Sequence, residues 1–378
     1  MREYLTVFLV AAVVTYLLGV VAREVATRTG AVAKVRDRDV HATPIPYFGG
    51  VAMLGGLAAG FAVARQLPFL SLSDEQIFRD AGVVLVAGAL ICAVGVLDDL
   101  LELDALTKFG GQLVAAGFLV YFDVQFYSLQ LPGGEQIALD TTQAALASVV
   151  VVVATVNAVN FVDGLDGLAA GVVGIGAVAF FLFSYKLADV NGETLAISAA
   201  LLTAALAGAA AGFLPHNFFP ARIFMGDSGS MLIGLVLAGS ALTLTGQFAA
   251  VDLRQGAGGG DASLLPTLLP LILPVAVLVV PFVDLVLAVV RRTRAGRSPF
   301  APDKQHLHHR LLEIGHSHMR AVLIMWLWAG LIAFGGVLAS LYSGRLTTVV
   351  LVAWVVLTVA LTFFVPRVRR RESTMTGL

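Results

Sequence analysis

Long apolar runs separated by short polar loops dominate the chain. Eleven runs lie near 4–22, 48–64, 82–97, 109–122, 142–159, 168–183, 194–214, 229–247, 265–290, 321–341 and 346–366. A helix needs roughly 20 apolar residues to cross the hydrocarbon core of a bilayer, and its backbone groups are then bonded within the helix. The pattern therefore predicts an all-α, polytopic integral membrane protein of about eleven transmembrane helices.

The composition agrees with this class and excludes others. Of the 378 residues, 58% are hydrophobic and 13% are charged, and the mean hydropathy is +0.89, whereas soluble domains carry about 25% charged residues. The net charge of −1 argues against a nucleic-acid partner, and the single cysteine, Cys92, excludes an internal disulfide framework. We expect one transmembrane domain over 1–366 and a basic cytoplasmic tail over 367–378.

Positive charges are concentrated on alternate loops, and this sets the expected orientation. With the amino terminus outside and the carboxyl terminus inside, the cytoplasmic loops hold 18 Lys and Arg residues and the outer segments hold 6, in keeping with the positive-inside rule. All seven histidines fall on the cytoplasmic side, where a side chain that titrates near neutral pH suits phosphate contact and proton transfer. The cytoplasmic loops are therefore expected to carry the active site.

Asp98 and Asp99 are adjacent carboxylates at the end of the third predicted span. Such a pair at a membrane edge is costly unless it is hydrated or paired with a cation. A hydrated helix end is one interpretation, and a site that holds Mg²⁺ or accepts a proton from a phosphate is the other. Lys108, nine residues after Asp99, is a candidate counter-charge.

A second polar cluster ends the fifth predicted span. Four oxygen-bearing side chains recur there at every third position, namely Asn157, Asn160, Asp163 and Asp166. On a helix or tight turn this spacing gathers the side chains on one side, and the neighbouring glycines let the backbone approach a ligand. This pattern is more typical of a binding site than of packing.

A third cluster, over 216–230, comes just before the eighth predicted span. Its glycines and serines at a helix start leave N–H groups that can bind a phosphate. Asp227 at the same place repels a bare anion and better suits a bridging Mg²⁺, while Phe224 is positioned to stack on a base. The alternative is an ordinary capped helix start with Asp227 or Ser228 as the cap.

The loop over 291–320 holds three histidines within four residues, followed at once by Arg310. The positive-inside rule explains the arginines of this loop but not the histidines. Binding of an anionic diphosphate is the favoured interpretation, and metal binding is the alternative. His41, in the first cytoplasmic loop before two prolines and a glycine pair, is a weaker signal.

Together these stretches resemble the polyprenyl-phosphate N-acetylhexosamine-1-phosphate transferase superfamily, glycosyltransferase family 4. The matching pieces are His-Ala-Thr-Pro-Ile-Pro-Tyr-Phe-Gly-Gly, Leu-Asp-Asp with Lys108-Phe109, Asn160-Phe-Val-Asp163-Gly-Leu-Asp166-Gly, Pro220-Ala-Arg-Ile-Phe-Met-Gly-Asp227-Ser-Gly-Ser and Gln305-His-Leu-His-His-Arg310. The last piece resembles the WecA-type branch rather than the MraY-type branch. The resemblance implies a bacterial plasma-membrane enzyme whose partners are UDP-GlcNAc and undecaprenyl or decaprenyl phosphate.

By matching position, the resemblance also implies residue roles. It implies three catalytic carboxylates, two ligands for Mg²⁺ (with Mn²⁺ as a substitute), three nucleotide contacts, four diphosphate contacts, and two residues that support the lipid phosphate or a loop. The catalytic carboxylates are Asp98, Asp99 and Asp163, and the metal ligands are Asp227 and Asn160. The nucleotide contacts are Asp166, Asn217 and Phe224. The diphosphate contacts are His306, His308, His309 and Arg310, and the supporting residues are Lys108 and His41.

Several alternatives stay open at this point. The donor could be another UDP-HexNAc or UDP-MurNAc-pentapeptide, as in MraY-type enzymes, and the primed polymer could be lipopolysaccharide or an arabinogalactan linker of the cell wall. Direct attack by the lipid phosphate is favoured over a two-step route through an aspartate nucleophile. A secondary transporter is a remote alternative, because its polar groups would lie near the bilayer midplane. A homodimer is possible.

Overall fold

The computed structural model describes residues 1–33, 44–130, 136–191, 196–245, 293–294, 316–342 and 344–363. Within this part of the chain there are eleven helices: α1 (Arg2–Thr29), α2 (Gly49–Ala64), α3 (Pro68–Ser71), α4 (Glu75–Leu101), α5 (Ala105–Tyr121), α6 (Thr141–Val162), α7 (Leu168–Asn191), α8 (Ala196–Asn217), α9 (Gly226–Thr245), α10 (His318–Leu341) and α11 (Arg345–Phe363). One antiparallel hairpin, β1 (Ser128–Gln130) with β2 (Gln136–Ala138), joins α5 to α6. The predicted all-α class is confirmed.

Ten of the eleven predicted spans correspond to helices in the described residues. Eight of these helices are long and apolar enough to cross a membrane, by length and composition, while α2 and α5 are shorter, at 16 and 17 residues. The remaining predicted span, 265–290, lies outside the described residues. The protein is a multi-pass membrane protein.

Helices α8 and α9 form the centre of the bundle and are almost entirely buried, whereas α11 is mostly exposed. Small side chains allow this close packing, as is usual between helices in lipid. At Gly208 of α8, for example, an added Cβ would overlap the backbone carbonyl of Phe8 in α1. The exposed apolar side chains of α1 and α11, such as Leu9 and Val352, form faces suited to lipid.

One end of the bundle brings together the ends of α4, α6 and α8 and the starts of α2, α5 and α9; we call it the site end. The loops before α2 and α9 pair here, since Phe224 N–H donates to the Pro46 carbonyl at 2.8 Å and Gly49 N–H donates to the Phe224 carbonyl at 3.1 Å. Gly50 lies against the backbone of the first turn of α9, where a Cβ would overlap Ser228. The absence of side chains at Gly49 and Gly50 therefore allows the two helix starts to touch.

The described chain begins and ends at opposite ends of the bundle. At the end away from the site, the Glu3 carboxylate accepts the N–H groups of Phe69 and Leu70, both at 2.8 Å, at the start of α3. At the site end, a ring nitrogen of His316, just before α10, lies 3.1 Å from the carbonyl oxygen of Thr362 near the end of α11. Helix α11 therefore finishes at the site end.

Candidate active site

Four helices each contribute one side chain to a network at the site end. Lys108 Nζ of α5 lies 2.5 Å from Asp98 Oδ2 of α4 and 2.6 Å from Asp227 Oδ2 of α9. Asn160 of α6 donates from Nδ2 to Asp227 Oδ1 at 3.0 Å and to Ser230 Oγ at 2.9 Å. We call Asp98, Lys108, Asn160 and Asp227 the Asp227 network. Four of the residues predicted from separate sequence clusters thus meet.

The members of the network differ in their exposure to solvent. The side chains of Lys108 and Asp227 are 30% and 25% exposed, whereas that of Asp98 is 9% exposed. A ligand at the site end can therefore reach Lys108 and Asp227 directly, and Asp98 lies behind them. Lys108 contacts both carboxylates, and such charge-assisted hydrogen bonds are stronger than those between neutral groups.

The short connection from α4 to α5 places Asp98 opposite Lys108. Glu102 ends α4 in the left-handed region, with φ of 51°, and Leu103 N–H then donates to Asp98 Oδ1 at 2.8 Å. Asp104 caps the start of α5 through two backbone N–H groups. Because the chain reverses within three residues, Lys108 in the first turn of α5 faces the last turn of α4.

Asp99 has a different partner from its neighbour Asp98. Its carboxylate accepts the backbone N–H of Asp227 at 2.8 Å and that of Ser228 at 3.3 Å. Gly226, with φ of 69°, lies against the same carboxylate, and an added Cβ would overlap it. The first N–H groups of α9, which the sequence suggested for phosphate binding, are thus engaged by Asp99. A helix start attracts a carboxylate as it attracts a phosphate.

Asp166 and Asn217 tie together the two loops that flank the network. Asp166 Oδ2 accepts the N–H of Ala221 at 2.9 Å. Asn217 accepts the N–H of Gly167 and donates to the carbonyl of Ile223, both at 3.0 Å. Both side chains are buried. These two predicted nucleotide contacts therefore brace the loops, and a direct contact with a nucleotide stays a prediction.

Asp163 follows the last residue of α6 and is half-buried at the site end. Desolvation raises the pKa of Asp163 to about 8, and the nearby carboxylates of Asp227, Asp99 and Asp166 act in the same direction. Its neutral form therefore extends to physiological pH when no cation is near. A nearby cation would favour the ionised form of this carboxyl group.

Phe224, the third predicted nucleotide contact, is held at both of its backbone groups by the loop before α2. Its half-buried ring lies 6.3 Å from the ring of Tyr47, at an angle of 49°. The two aromatic rings thus border the site end beside the loop braced by Asn217. Stacking of Phe224 on a base stays a prediction.

Sequence reasoning singled out Asn157 but missed Gln112, its amide partner next to the network. Asn157 Nδ2 donates to Gln112 Oε1 at 2.6 Å, and Gln112 Nε2 lies 3.4 Å from Asn157 Oδ1. Asn157 stood out in the sequence because of its spacing from Asn160. Gln112 could have been noticed as a polar residue in an apolar run, one helical turn after Lys108.

Two of the remaining histidines lie within the described residues, whereas the predicted contacts not yet placed lie outside them. His216 stacks on Tyr16 with 4.6 Å between ring centroids, and its Nε2 lies 2.9 Å from the Tyr16 carbonyl oxygen, so it joins α8 to α1. His318 stacks on Phe219 of the loop before α9 at 4.9 Å. Five predicted site residues lie outside the described residues, namely His41, His306, His308, His309 and Arg310.

The donors in the network are those that Mg²⁺ takes in proteins. Among the described residues, no group of three or more His, Cys, Asp or Glu side chains is arranged to hold a metal. Mg²⁺ is usually bound by one or two carboxylates plus substrate phosphates rather than by an all-protein cage. Asp227, whose side chain is 25% exposed, and Asn160 supply a carboxylate and an amide oxygen, which are donors of the kind that Mg²⁺ takes.

The fold and the site together define a multi-pass membrane protein with a carboxylate-rich, lysine-bridged site at one end of its helices. The model of glycosyl transferase family 4 matches residues 81–245, which include the whole Asp227 network. The chain is 48% identical over 377 residues to the decaprenyl-phosphate N-acetylglucosaminephosphotransferase of Mycobacterium tuberculosis, covering 98% of this chain and 91% of that protein. The chain belongs to glycosyl transferase family 4, as its sequence motifs predicted.

Two further relatives show the range of similarity. The decaprenyl-phosphate N-acetylglucosaminephosphotransferase of Mycobacterium leprae is 47% identical, covering 99% of this chain and 92% of that protein. The undecaprenyl-phosphate alpha-N-acetylglucosaminyl 1-phosphate transferase of Yersinia pestis is 28% identical, with 91% and 85% covered. The similarity therefore extends over nearly the whole chain, including parts beyond the residues that the family model matches.

Proposed function

We propose that the protein transfers GlcNAc-1-phosphate from UDP-GlcNAc to a polyprenyl phosphate, giving polyprenyl-diphospho-GlcNAc and UMP. The relatives with 47–48% identity are named for decaprenyl phosphate as acceptor and N-acetylglucosamine phosphate as the transferred group. The observation that carries the proposal is the Lys108 ammonium between Asp98 and Asp227, at the end of membrane-crossing helices. An acceptor anchored in lipid and a water-soluble donor can meet only at such a boundary.

In this reaction an oxygen of the lipid phosphate forms a bond to the β-phosphorus of the donor. The bond from that phosphorus to the oxygen bridging the two donor phosphates breaks, and UMP leaves with that oxygen. Asp98, the least exposed carboxylate of the network, takes a proton from the acceptor phosphate where that phosphate is still protonated. Lys108 holds the anionic groups together, because phosphoryl transfer depends mainly on alignment and charge neutralisation.

We assign Asp227 and Asn160 as the ligands of Mg²⁺, with Mn²⁺ as a substitute. A bound ion would supply positive charge to the phosphate oxygens at this position. Two hydrogen bonds hold Asp227 at this position: Asn160 donates to its carboxylate, and Asp99 accepts its backbone N–H. Asp163 adds a carboxyl group whose raised pKa responds to a nearby cation.

The donor nucleotide is assigned to the loops braced by Asp166 and Asn217, with Phe224 as the ring that stacks on uracil. Both loops and the first turn of α9 lie at the site end, so a uridine held by these loops would lie at the same end of the bundle as Asp227. His306, His308, His309 and Arg310 are assigned to the diphosphate, and His41 to support of the first loop, on their sequence pattern alone.

We further propose a bacterial plasma-membrane location with the site end in the cytoplasm. The amino terminus would then be outside and the carboxyl terminus inside, in keeping with the distribution of Lys and Arg. The product would prime a cell-envelope polymer such as a cell-wall linker. Finding the amino terminus labelled from the cytoplasmic side, with a membrane-impermeant reagent on whole cells and inverted vesicles, would reject this orientation.

The deciding experiment measures transfer of radiolabelled sugar phosphate to decaprenyl and undecaprenyl phosphate by the purified protein in detergent. UDP-GlcNAc, UDP-GalNAc and UDP-MurNAc-pentapeptide are compared, with Mg²⁺ and with EDTA. We expect a lipid-linked product and UMP from UDP-GlcNAc with Mg²⁺ only. Absence of product from every donor would refute the activity, and product from UDP-MurNAc-pentapeptide alone would refute the donor assignment.

A further inference from the structure

Helices α5 and α6 exchange hydrogen bonds between two amides, one turn deeper in the bundle than the Asp227 network. Asn157 Nδ2 donates to Gln112 Oε1 at 2.6 Å and also to the carbonyl of Val153 at 2.8 Å. In return, Gln112 Nε2 lies 3.4 Å from Asn157 Oδ1. Gln112 is buried. Asn157 is half-buried, and the two side chains bond to each other.

Each of the two amides lies on the same helix as one member of the Asp227 network, one turn away from it. Gln112 follows Lys108 by four residues in α5, and Asn157 precedes Asn160 by three residues in α6. Side chains at these separations share a face of a helix. Helix α9 joins both the network and the amides as well, because Met231 Sδ lies 3.7 Å from Gln112 Nε2 and Met231 follows Asp227 by four residues.

Apolar packing alone would hold these helices less strictly. Two apolar faces tolerate small slides, whereas an amide pair is satisfied only over a narrow range of distance and angle. A buried amide left without its partner is destabilising, because the group has lost its water and gained no bond in return. A shift of α5 by one residue moves the helix about 1.5 Å along its axis and rotates its side chains by about 100° around that axis. Such a shift would take Lys108 away from Asp98 and Asp227.

We infer that Gln112 and Asn157 are a positioning pair that sets the register of α5 against α6 and so holds Lys108 and Asn160 on Asp227. The inference rests on the proposed transferase function. Neither amide touches the reacting groups in this role. The pair acts through Lys108 and Asn160, so its loss lowers turnover more than it weakens donor binding.

The test uses the full-length protein in detergent and the transfer assay described above. Gln112→Met and Asn157→Leu each remove one amide, and the exchange variant Gln112→Asn/Asn157→Gln restores two facing amides with their lengths swapped. Gln125→Met is the matched control, because Gln125 is also a buried glutamine but follows the other end of α5. Thermal unfolding of each variant is followed alongside activity.

We expect each single variant to lower kcat about 10–100-fold, the range that follows from a misplacement of about 1 Å. The KM for UDP-GlcNAc should change little, and the double variant Gln112→Met/Asn157→Leu should be no worse than the poorer single variant. The exchange variant should recover most of the lost kcat, and Gln125→Met should keep the wild-type value.

Other outcomes overturn the inference. A Gln112→Met variant with near wild-type kcat means that register does not depend on the pair. If the exchange variant is folded but stays as slow as the single variants, the loss does not come from the pairing. If a single variant fails to fold, the folded exchange variant decides by its kcat. A wild-type protein that makes no product from any donor refutes the proposed function instead.

Discussion

The carboxylate of Asp99 accepts the backbone N–H of Asp227 at 2.8 Å, which joins the end of α4 to the start of α9 across 128 residues of sequence. The side chain of the same Asp227 faces Lys108 and Asn160. Asp99 therefore supports the position of Asp227 through its backbone, while Asp98, its neighbour in sequence, belongs to the network itself. Adjacent aspartates thus have separate partners.

This division predicts different results for two substitutions of Asp99. Asp99→Leu removes both acceptors from the start of α9, whereas Asp99→Asn keeps one oxygen for the Asp227 N–H but directs an NH₂ group at Ser228. We expect both variants to lower kcat, with the leucine variant lower by about 10-fold more, as for about 1.4 kcal/mol of lost support. Asp99→Asn with less activity than Asp99→Leu would contradict a supporting role.

Asp227→Asn is expected to abolish turnover even at saturating Mg²⁺. The substitution keeps the shape of the side chain but removes the charge that pairs with Lys108 and that is proposed to hold the ion. Isothermal titration with Mn²⁺ provides a second measurement, in which the variant should lose binding seen in the wild type. The exposed aspartate Asp74, at the other end of the bundle, supplies the control variant Asp74→Asn. Near-normal turnover by Asp227→Asn would remove its assigned role.

Lys108 should not be replaceable by arginine. Its ammonium fits between Asp98 and Asp227 as a compact point charge, whereas a guanidinium is planar and larger. We expect Lys108→Met and Lys108→Arg each to lower kcat at least about 100-fold, as seen when one group of an alignment-dependent site is misplaced. Steady-state kinetics with varied acceptor will check this. Full activity of the arginine variant would show that charge alone is sufficient.

Removing the Asn217 amide is expected to weaken donor binding and stability together. Asn217→Leu leaves the N–H of Gly167 and the carbonyl of Ile223 without the partner they have now, at a cost of about 1–3 kcal/mol for a buried group. The KM for UDP-GlcNAc should rise and the unfolding midpoint should fall. An unchanged KM in a folded variant would show that these loops do not bind the nucleotide.

The raised pKa of Asp163 predicts a pH dependence of stability in the metal-free protein. Its folded-state pKa of about 8 lies above its ordinary value of 3.8. A carboxyl group with a raised pKa favours the folded state most at low pH, and this contribution is lost as the pH rises through the folded value. With EDTA present, we expect the unfolding midpoint to decline between about pH 4 and 8.

The control for this prediction is Asp163→Asn, which cannot ionise. Its unfolding midpoint should depend less on pH than that of the wild type over the same interval. Addition of Mg²⁺ should also flatten the wild-type profile, since a nearby cation favours the ionised carboxylate. Identical slopes in the wild type and Asp163→Asn would mean that another group controls the profile.

Much of the site could be predicted from sequence because its residues come in local clusters. Asp98, Asn160 and Asp227 each stood out as a polar residue at the edge of an apolar run. Charged groups at such positions are costly, so their presence indicates function. Lys108 was expected as a counter-charge to the carboxylates and, by resemblance, as support for the lipid phosphate or a loop, and the structure places it against both Asp98 and Asp227.

Other features could not be predicted in this way. Gln112 could be noticed as a lone polar residue in an apolar run, but its bond to Asn157, 45 residues further on, appears only in the folded chain. Asp166 and Asn217 were expected to face a nucleotide, and their bonds to the backbone of Ala221, Gly167 and Ile223 appear only in the folded chain. Side-chain spacing identifies the polar cluster but not the group that each member contacts.

The sequence by itself determined the membrane class, ten described helices in their expected places, and the end of the bundle at which the polar clusters meet. These properties follow from hydrophobic runs and their polar edges, which are local. Only the tertiary structure decided that Asp98 faces Lys108 while Asp99 holds the start of α9. Adjacent residues of a helix point about 100° apart, so their partners depend on which helices pack on each side.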